Sequence, residues 1–408
     1  MKNLSILILL AFCILISFVA RSQASWTIQT SGTTVSLLGV SAANATVCYA
    51  AGCSGKILKT TNGGVTWLAQ SSGTSEHLYS ICFTDVNNGV AAGDNGAVVR
   101  TTNGGITWTS LSVTSYFIRC VYFYDASTGY MTGGLGSSGK IFKTTDGGAT
   151  WASLPVSSSI GIYSIKFTSI TDGYACNYNG DIFKTTDGGL SWSLLTSGTT
   201  CSLFAMYFTS SSAGIIVGSP GIVRKTTDSG ATWSGVISGT SDYMTGLKFY
   251  DSNNGFAVGG NVSLNSGTIL RTADGGNTWS CFTPGTARLY RVDFYNSKVG
   301  YAVGLDGTIL KYINNNNVGV EEQAEQVQDI KAFPNPANGS ATIDLSPLSL
   351  KGEVSVELYD ATGKLISKSQ ADGAGSFIFN RNDLPVGLYY YNVSYENRIV
   401  GRGEIVFN

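Results

Sequence analysis

From residue 25 onward the chain reads as short apolar runs of strand length, broken by Gly, Asn and Asp. Leu78-Tyr79-Ser80-Ile81-Cys82-Phe83 leads to Gly89-Val90-Ala91-Ala92-Gly93 and then to Gly96-Ala97-Val98-Val99-Arg100. Runs rich in β-branched and aromatic residues, bounded by turn formers, predict strands. The same phrase returns as Leu289-Tyr290-Arg291-Val292-Asp293-Phe294, Gly300-Tyr301-Ala302-Val303-Gly304 and Gly307-Thr308-Ile309-Leu310-Lys311. A second phrase, Lys59-Thr60-Thr61-Asn62-Gly63-Gly64-Val65-Thr66-Trp67, recurs at 100–108, 143–151, 184–192, 225–233 and 271–279. Its tryptophans step by 41, 43, 41, 41 and 46 residues. With the run that starts at the Gly-Gly pair, each repeat holds four predicted strands. The two longer steps fall where the hairpin between second and third runs lengthens, at 133–139 and 259–267.

A period near 40 residues with four strands per unit predicts an all-β chain built as a β-propeller. The seventh repeat reaches Lys311-Tyr312 and dissolves into Asn314-Asn315-Asn316-Asn317 without a fourth strand. Its missing strand lies at the other end. Trp26-Thr27-Ile28-Gln29-Thr30-Ser31-Gly32-Thr33 matches Trp192-Ser193-Leu194-Leu195-Thr196-Ser197-Gly198-Thr199, and Trp26 precedes Trp67 by the same 41 residues. Seven blades closed by an N-terminal strand are therefore expected, a closure that hides two sheet edges. Trp26, Trp67, Trp108, Trp151, Trp192, Trp233 and Trp279 share one repeat position and should pack between neighbouring blades.

The second phrase is the Asp-box, or BNR repeat. Asn62, Asn103, Asp146, Asp187, Asp228 and Asp274 hold its acceptor position. Such side chains accept from backbone N–H groups two residues on and make turns. The following glycine tolerates positive φ; Ser229 replaces it in the fifth copy, which should be the most strained. Six copies spread around a ring cannot converge on one substrate, so the motif is read as structural. Lys59, Arg100, Lys143, Lys184, Lys225, Arg271 and Lys311 recur just before it. Their stems are expected to cover apolar surface with the heads in water, rather than to form a positive binding rim.

Charge and composition narrow the function. Charged residues make up 12% of the chain, about half the usual share. Residues 25–320 carry 16 Lys/Arg against 14 Asp/Glu, and 321–408 carry 7 against 12. Neither part has the basic field of a nucleic-acid binder. Lys2, the uncharged apolar run 4–20 and Ala24 after Arg21-Ser22-Gln23 read as a signal peptide over 1–24. A lipoprotein anchor at Cys13 is disfavoured because Phe12 is not small. No later segment approaches the ~18–20 apolar residues of a membrane span. Cys48, Cys53, Cys82, Cys120, Cys176, Cys201 and Cys281 fit no zinc spacing, and the chain has one histidine. They are read as small buried hydrophobes, and no metal or cofactor is expected.

Residues 25–316 resemble the Asp-box propellers of the photosystem II stability and assembly factor family, through the seven-fold count and the Gly300-Tyr301-Ala302-Val303-Gly304 type of phrase. In photosynthetic cells that family uses an arginine-rich face to hold a membrane-protein precursor. Here the arginines look few and scattered, so that activity is not carried over. An acidic, Gln-rich linker (317–330) follows. Phe333-Pro334-Asn335-Pro336-Ala337, Val354-Ser355-Val356-Glu357-Leu358-Tyr359-Asp360-Ala361-Thr362-Gly363-Lys364 and Leu384-Pro385-Val386-Gly387-Leu388-Tyr389-Tyr390 then appear. Residues 331–408 resemble the type A sorting domain of the type IX (Por) secretion system, which implies a small Ig-like β-sandwich. Pro334 and Pro336 should open it in extended backbone, with Asp360–Lys364 a hairpin turn. Pro334, Asn335, Pro336, Gly363, Lys364, Gly387 and Tyr389 carry the sorting motif. The resemblance implies recognition by the secretion machinery, passage across an outer membrane, and release or attachment at the cell surface.

The expected role is a non-catalytic scaffold for a protein or glycan outside the cell. The alternative is a glycoside hydrolase of sialidase or xyloglucanase type, since sialidases carry Asp-boxes. Those need paired carboxylates, and the propeller has one glutamate, Glu76. Asp85, Asp125 and Asp251 sit in register across repeats, which marks turn residues. The loops from each outer strand to the next inner strand vary most, and loops on a rigid scaffold carry function. Glu76, His77, Tyr116, Asp242, Tyr243 and Arg288 in those loops form the candidate binding face.

Overall fold

The computed structural model describes residues 25–314 and 328–408, apart from 136–137, 159, 349–351, 362–363, 374, 382–383 and 396–397. The expected signal peptide, Gly363 and most of the linker lie outside these residues. The described chain forms two units, divided between Asn316 and Asn317.

In the first unit, seven antiparallel four-stranded sheets follow one another in the chain. Their innermost strands are Leu37–Ala42, Leu78–Phe83, Phe117–Phe123, Ile162–Phe167, Leu203–Phe208, Tyr243–Phe249 and Leu289–Phe294. Each touches the innermost strands of both neighbouring blades, and the seventh touches the first. The ring is closed, as the repeats require. Its last blade is completed by Ser25–Gln29, which pairs antiparallel with Ile309–Ile313 and sets Trp26 opposite Tyr312.

Apolar residues collect between blades, not within one. One cluster takes Tyr49, Ala51 and Ile57 from the first blade and Leu78, Ile81, Phe83, Ala91 and Val99 from the second, with Trp108 against it. Tyr49 stacks on Phe83 at 3.6 Å and Trp108 meets the same ring edge-on at 5.9 Å. Trp151, Trp192, Trp233 and Trp279 repeat the edge-on contact with Phe123, Phe167, Phe208 and Phe249. Trp67 instead meets Tyr301 of the last blade, and Trp26 meets Phe256 and Phe294. Aromatic pairs of this geometry add about 0.5–1.5 kcal/mol beyond area burial.

Two recurring glycines follow from this packing. A Cβ on Gly89 would lie 2.6 Å from the Phe83 ring, so no side chain fits there; the first blade, with Ala42 in place of that ring, carries Cys48 at the same position. A Cβ on Gly93 would lie 1.6 Å from the His77 carbonyl oxygen, where the chain enters the innermost strand. That entry is bulged in every blade. Pairing slips between Leu37 and Gly39, Leu78 and Ser80, Ile118 and Cys120, Ile162 and Ser164, Leu203 and Ala205, Met244 and Gly246, and Leu289 and Arg291. A bulge leaves one residue unpaired and re-aims its side chain. The third and sixth blades replace the tight turn between second and third strands by longer strands, Gly129–Leu135 with Ser138–Thr144 and Gly255–Asn261 with Ser266–Thr272.

The second unit has a five-stranded sheet, in the order Gln328–Asp329, Arg398–Phe407, Gly387–Tyr395, Glu353–Asp360, Leu365–Asp372, and a three-stranded sheet of Ala332–Phe333, Ser340–Asp344 and Ser376–Asn380. Val354, Val356, Leu358, Tyr391 and Ile405 from one sheet and Ala341, Ile343 and Phe379 from the other share one core. The peptide bonds before Pro334 and Pro336 are cis. Asn335 between them accepts from the Val406 N–H (2.8 Å) and donates to the Glu404 carbonyl (3.0 Å), so its amide pairs like a strand residue. Tyr389 donates to the Pro385 carbonyl, Gly387 starts its strand, and Asp360 and Lys364 close the expected hairpin.

Candidate functional site

Alternating strand direction sorts the propeller's loops onto two ends. The Asp-box turns join third to fourth strands at one end. The turns between second and third strands, and the entries into innermost strands, share the other.

At the Asp-box end the acceptor side chain of each box is met by its own turn, although the indole N–H groups of Trp67, Trp108, Trp233 and Trp279 have no partner among the described residues. Asp187 accepts from the Ser191 N–H (2.9 Å), the Ser191 hydroxyl (2.5 Å) and the Thr185 hydroxyl (2.7 Å). Asp146, Asp228 and Asp274 repeat this set, and Asn62 and Asn103 reproduce it with an amide. The accepted N–H lies four residues on, not two, because the two positive-φ residues of the turn lengthen it. Hydrogen bonds from the hydroxyl and N–H hold the carboxyls of Asp187, Asp228 and Asp274 down at about 2. Ser229 sits at φ 57°, in the region that favours glycine. The cations before the box depart from expectation. Lys59, Arg100, Lys143 and Lys184 donate to the carbonyls of Gly104, Gly147, Gly188 and Ser229 in the next blade's box. Their heads clamp adjacent blades instead of standing in water.

The opposite mouth differs. The bulged position of the seven innermost strands carries Leu38, Tyr79, Arg119, Tyr163, Phe204, Thr245 and Tyr290 in ring order. Arg119 lies over the Tyr79 ring at 4.6 Å, Tyr163 at 5.4 Å and Phe117 at 5.8 Å. Among the described residues it has no hydrogen bond or ion pair. Tyr163 contacts Phe204 and Tyr178, and Phe204 stacks on Tyr243 at 6.2 Å. Phe204 is 7% exposed, whereas Tyr178 and Tyr243 are 53% and 43% exposed and present open ring faces. Phe117, Arg119, Tyr163 and Tyr178 line a cavity of about 350 Å³ there.

Below the mouth runs a channel cavity of about 430 Å³, lined by Lys166, Lys248, Arg291 and Asp293. Its wall would expose unpaired strand edges, a cost that side chains of neighbouring blades remove. Ser41 accepts from the Phe83 N–H (3.0 Å), Ser80 from the Val121 N–H (3.0 Å) and Asp293 from the Ala42 N–H (2.9 Å). Asp293 also pairs with Lys248 at 2.7 Å. Burial works against the Lys248 charge, but Asp293 outweighs it and the ammonium titrates above its ordinary range. Lys166 lies over the Tyr122 ring at 4.3 Å, and burial lowers its pKa. Arg291 donates to the Thr245 and Tyr290 carbonyls; burial, with repulsion from Arg119 among the smaller causes, works against its charge.

The loop residues singled out from sequence border this mouth, yet several are committed to the fold. His77 Nδ1 accepts from the Ser54 N–H (2.9 Å). Glu76 accepts from Asn95, and Asp242 from Thr268 and Asn261. Tyr116 packs under Lys140, and Arg288 stacks on Tyr290 and donates to its hydroxyl (2.7 Å). Tyr243 joins the aromatic ring. Sequence reading passed over Tyr79, Arg119, Tyr163, Tyr178 and Phe204. It also took the arginines for scattered, whereas Arg119, Arg288 and Arg291 come to one end. The signal lay in one residue near the start of each innermost strand, the third residue in the third and sixth blades and the second in the others. In the sequence that residue falls into the strand's alternation, and the bulge breaks it. The seven described cysteines are free thiols, and of them only Cys48 and Cys176 are fully buried as expected, with Cys281 exposed; no cluster of metal-ligating residues occurs among the described residues.

Comparison with known proteins agrees with both units. Residues 331–406 match the model of the secretion system C-terminal sorting domain, and 152–241 match that of the photosynthesis system II assembly factor YCF48. Among solved structures, YCF48 bound to D1 peptide is 20% identical, with TM-score 0.60 over 71% of this chain and 97% of that one. YCF48 from Cyanidioschyzon merolae is also 20% identical, with TM-score 0.59 over 72% and 100%. A GH74 xyloglucanase from Xanthomonas campestris is 14% identical, with TM-score 0.56 over 79% and 59%. These likenesses establish the propeller fold. An endo-acting ulvan lyase of Formosa agariphila is 33% identical over 92 residues, 22% of this chain and 17% of that protein's length. The chain thus joins a BNR-type propeller, similar to the photosystem II assembly factors, to a type IX sorting domain, which implies export to the cell surface or beyond.

Proposed function

We propose that this protein is an exported binding propeller that holds a glycan or protein at its aromatic mouth and performs no chemistry on it. The observation that carries the reading is the ring of Tyr79, Arg119, Tyr163 and Phe204, with open faces on Tyr178 and Tyr243 beside it. Aromatic and arginine side chains on a rigid frame are the groups that dominate recognition energetics. Catalysis on a glycosidic bond needs a pair of free carboxylates. Asp293 is the one carboxylate on the innermost strands, and Lys248 and the Ala42 N–H occupy it. Glu76 and Asp242 likewise have donors of their own, and Asp94, which accepts from Tyr79 through one oxygen and has the other buried without a partner, stands alone rather than in a pair. The sorting domain supplies delivery: its sheets and core lie wholly within residues 328–408.

The test uses the mature protein purified from the medium or surface of its own host, applied to glycan and peptide arrays and assayed for released oligosaccharide. Binding without turnover is expected. The hydrolase reading would gain from turnover that Asp242→Asn or Glu76→Gln abolishes. A chain ending at residue 316 should fold and stay in the periplasm; its appearance outside the cell would remove the sorting role.

A further inference from the structure

We infer that the mouth recognises an acidic saccharide, with a sugar carboxylate held by Arg119 and sugar rings laid on Tyr163, Tyr178 and Tyr243; this rests on the binding reading above and names its ligand class.

Three observations converge. The first is the state of Arg119. Its guanidinium is fixed by three aromatic faces, yet its N–H donors have no partner among the described residues. A planar fork of donors held in place by stacking is matched by a carboxylate, which accepts two parallel hydrogen bonds. Glu76 and Asp242 at this end already have donors, Asp94 accepts from the Tyr79 hydroxyl, and Arg288 spends one donor on Tyr290 while its Nε is buried without a partner.

The second is charge. The seven innermost strands carry Arg119, Lys166, Lys248 and Arg291 against Asp293 alone. Lys248 takes up Asp293, and Asp94 beside the mouth is held by the Tyr79 hydroxyl (3.2 Å); Arg119, Arg291 and Lys166 form a line of positive charge from the mouth into the channel with no ion pair of their own among the described residues. Burial acts against the charges of Arg291 and Lys166. An anion entering the mouth relieves that opposition, and low-dielectric walls focus the field on it.

The third separates sugar from peptide. Extended peptides bind chiefly through main-chain hydrogen bonds to a free strand edge. On the innermost edges facing the channel, the N–H groups of Phe83, Val121 and Ala42 are taken by Ser41, Ser80 and Asp293. What stays open is ring faces and the Arg119 fork beside a cavity of about 350 Å³, the size of one to two sugar rings. The apolar C–H face of a pyranose covers an aromatic ring, and its acidic edge meets the guanidinium.

The experiment measures binding of the mature exported protein to oligogalacturonate, oligoglucuronate and oligomannuronate, each against its carboxyl-reduced counterpart. At least one acid should bind more than about tenfold tighter than its reduced form, since a charge-assisted bond is worth roughly 1.5–3 kcal/mol. Arg119→Gln should erase that preference with the melting temperature unchanged, and raising salt should shrink it. Tyr178→Ala should weaken acid and reduced forms alike. Equal binding of the two forms, or a preference that survives Arg119→Gln, overturns the acidic-ligand inference and leaves glycan binding standing. Binding of peptides with a free C-terminal carboxylate, and of no saccharide, overturns it in favour of a protein partner. No binding to either array fells the binding reading itself.

Discussion

Asp187 at one end of the propeller and Arg119 at the other are both charged groups in repeat register, and the molecule treats them oppositely. Asp187 accepts from Thr185 and twice from Ser191. The same set is built in every Asp-box, and the cations Lys59, Arg100, Lys143 and Lys184 reach the next blade's carbonyls. Arg119 has ring faces around it and no acceptor among the described residues. Its counterparts in the ring are Leu38, Tyr79, Tyr163, Phe204, Thr245 and Tyr290, so the position repeats while its chemistry does not. Groups that recur with identical partners stabilise the ring. Groups that recur in place but vary in kind, with donors unspent, are available to a ligand.

Changes to the structural set should therefore cost folding, and changes at the mouth should cost binding alone. The largest effect is expected from deleting Ser25–Gln29, which bares the edge of Ile309–Ile313. An open edge pairs with other chains, so the truncated protein should aggregate on size exclusion; a monomer with unchanged melting would break the closure argument. Next is Trp233→Ala. This side chain is 7% exposed and packs on Phe208, and its removal should cost about 3–5 kcal/mol in denaturant unfolding.

Acid should find the Asp-box end before the mouth. The carboxyls of Asp187, Asp228 and Asp274 lie at about 2 in the fold against an ordinary 3.8. A depressed folded pKa contributes stability that is present above the ordinary value and lost as pH falls through the folded one. Melting temperature should thus decline between pH 4 and pH 2 (roughly, from these pKa values). Asp187→Asn should lessen that decline, and the same change at Asp187, Asp228 and Asp274 together should flatten most of it, because Asn62 and Asn103 show that an amide fills the site. A decline of the same size in the triple variant would mean that other carboxylates govern it.

Two small effects complete the contrast. Ser229→Gly releases left-handed strain of about 1–2 kcal/mol while loosening the unfolded chain by about 0.4–1 kcal/mol. A net gain of roughly 0.5 kcal/mol is expected. A loss would show that the Ser229 side chain matters to the turn. At the mouth, Tyr178→Ala should move stability by no more than about 0.5 kcal/mol, since its ring is half exposed. A larger loss would place it among the structural groups.

Periodicity by itself determined the all-β class, the seven blades, the closure of the last by Trp26 and the division before the sorting domain. Each follows from local pattern: strands need alternation, turns need Gly and Asn/Asp, and a repeat that cannot bury its own faces must stack on its neighbours. The Gly at each end of the second strand was visible as punctuation, but its cause was not. It took the fold to show the Phe83 ring against Gly89 and the His77 carbonyl against Gly93. The functional end was less legible for a related reason. A bulge near the start of the innermost strand turns Tyr79, Arg119 and Tyr163 toward the mouth, against the two-residue alternation that a sequence displays. His77 and Glu76, which looked available as loop residues, turned out to be bonded to Ser54 and Asn95. Local sequence decides which groups are present and in what register. Which of them have spent their hydrogen bonds depends on contacts tens of residues apart, and only the closed ring sets those.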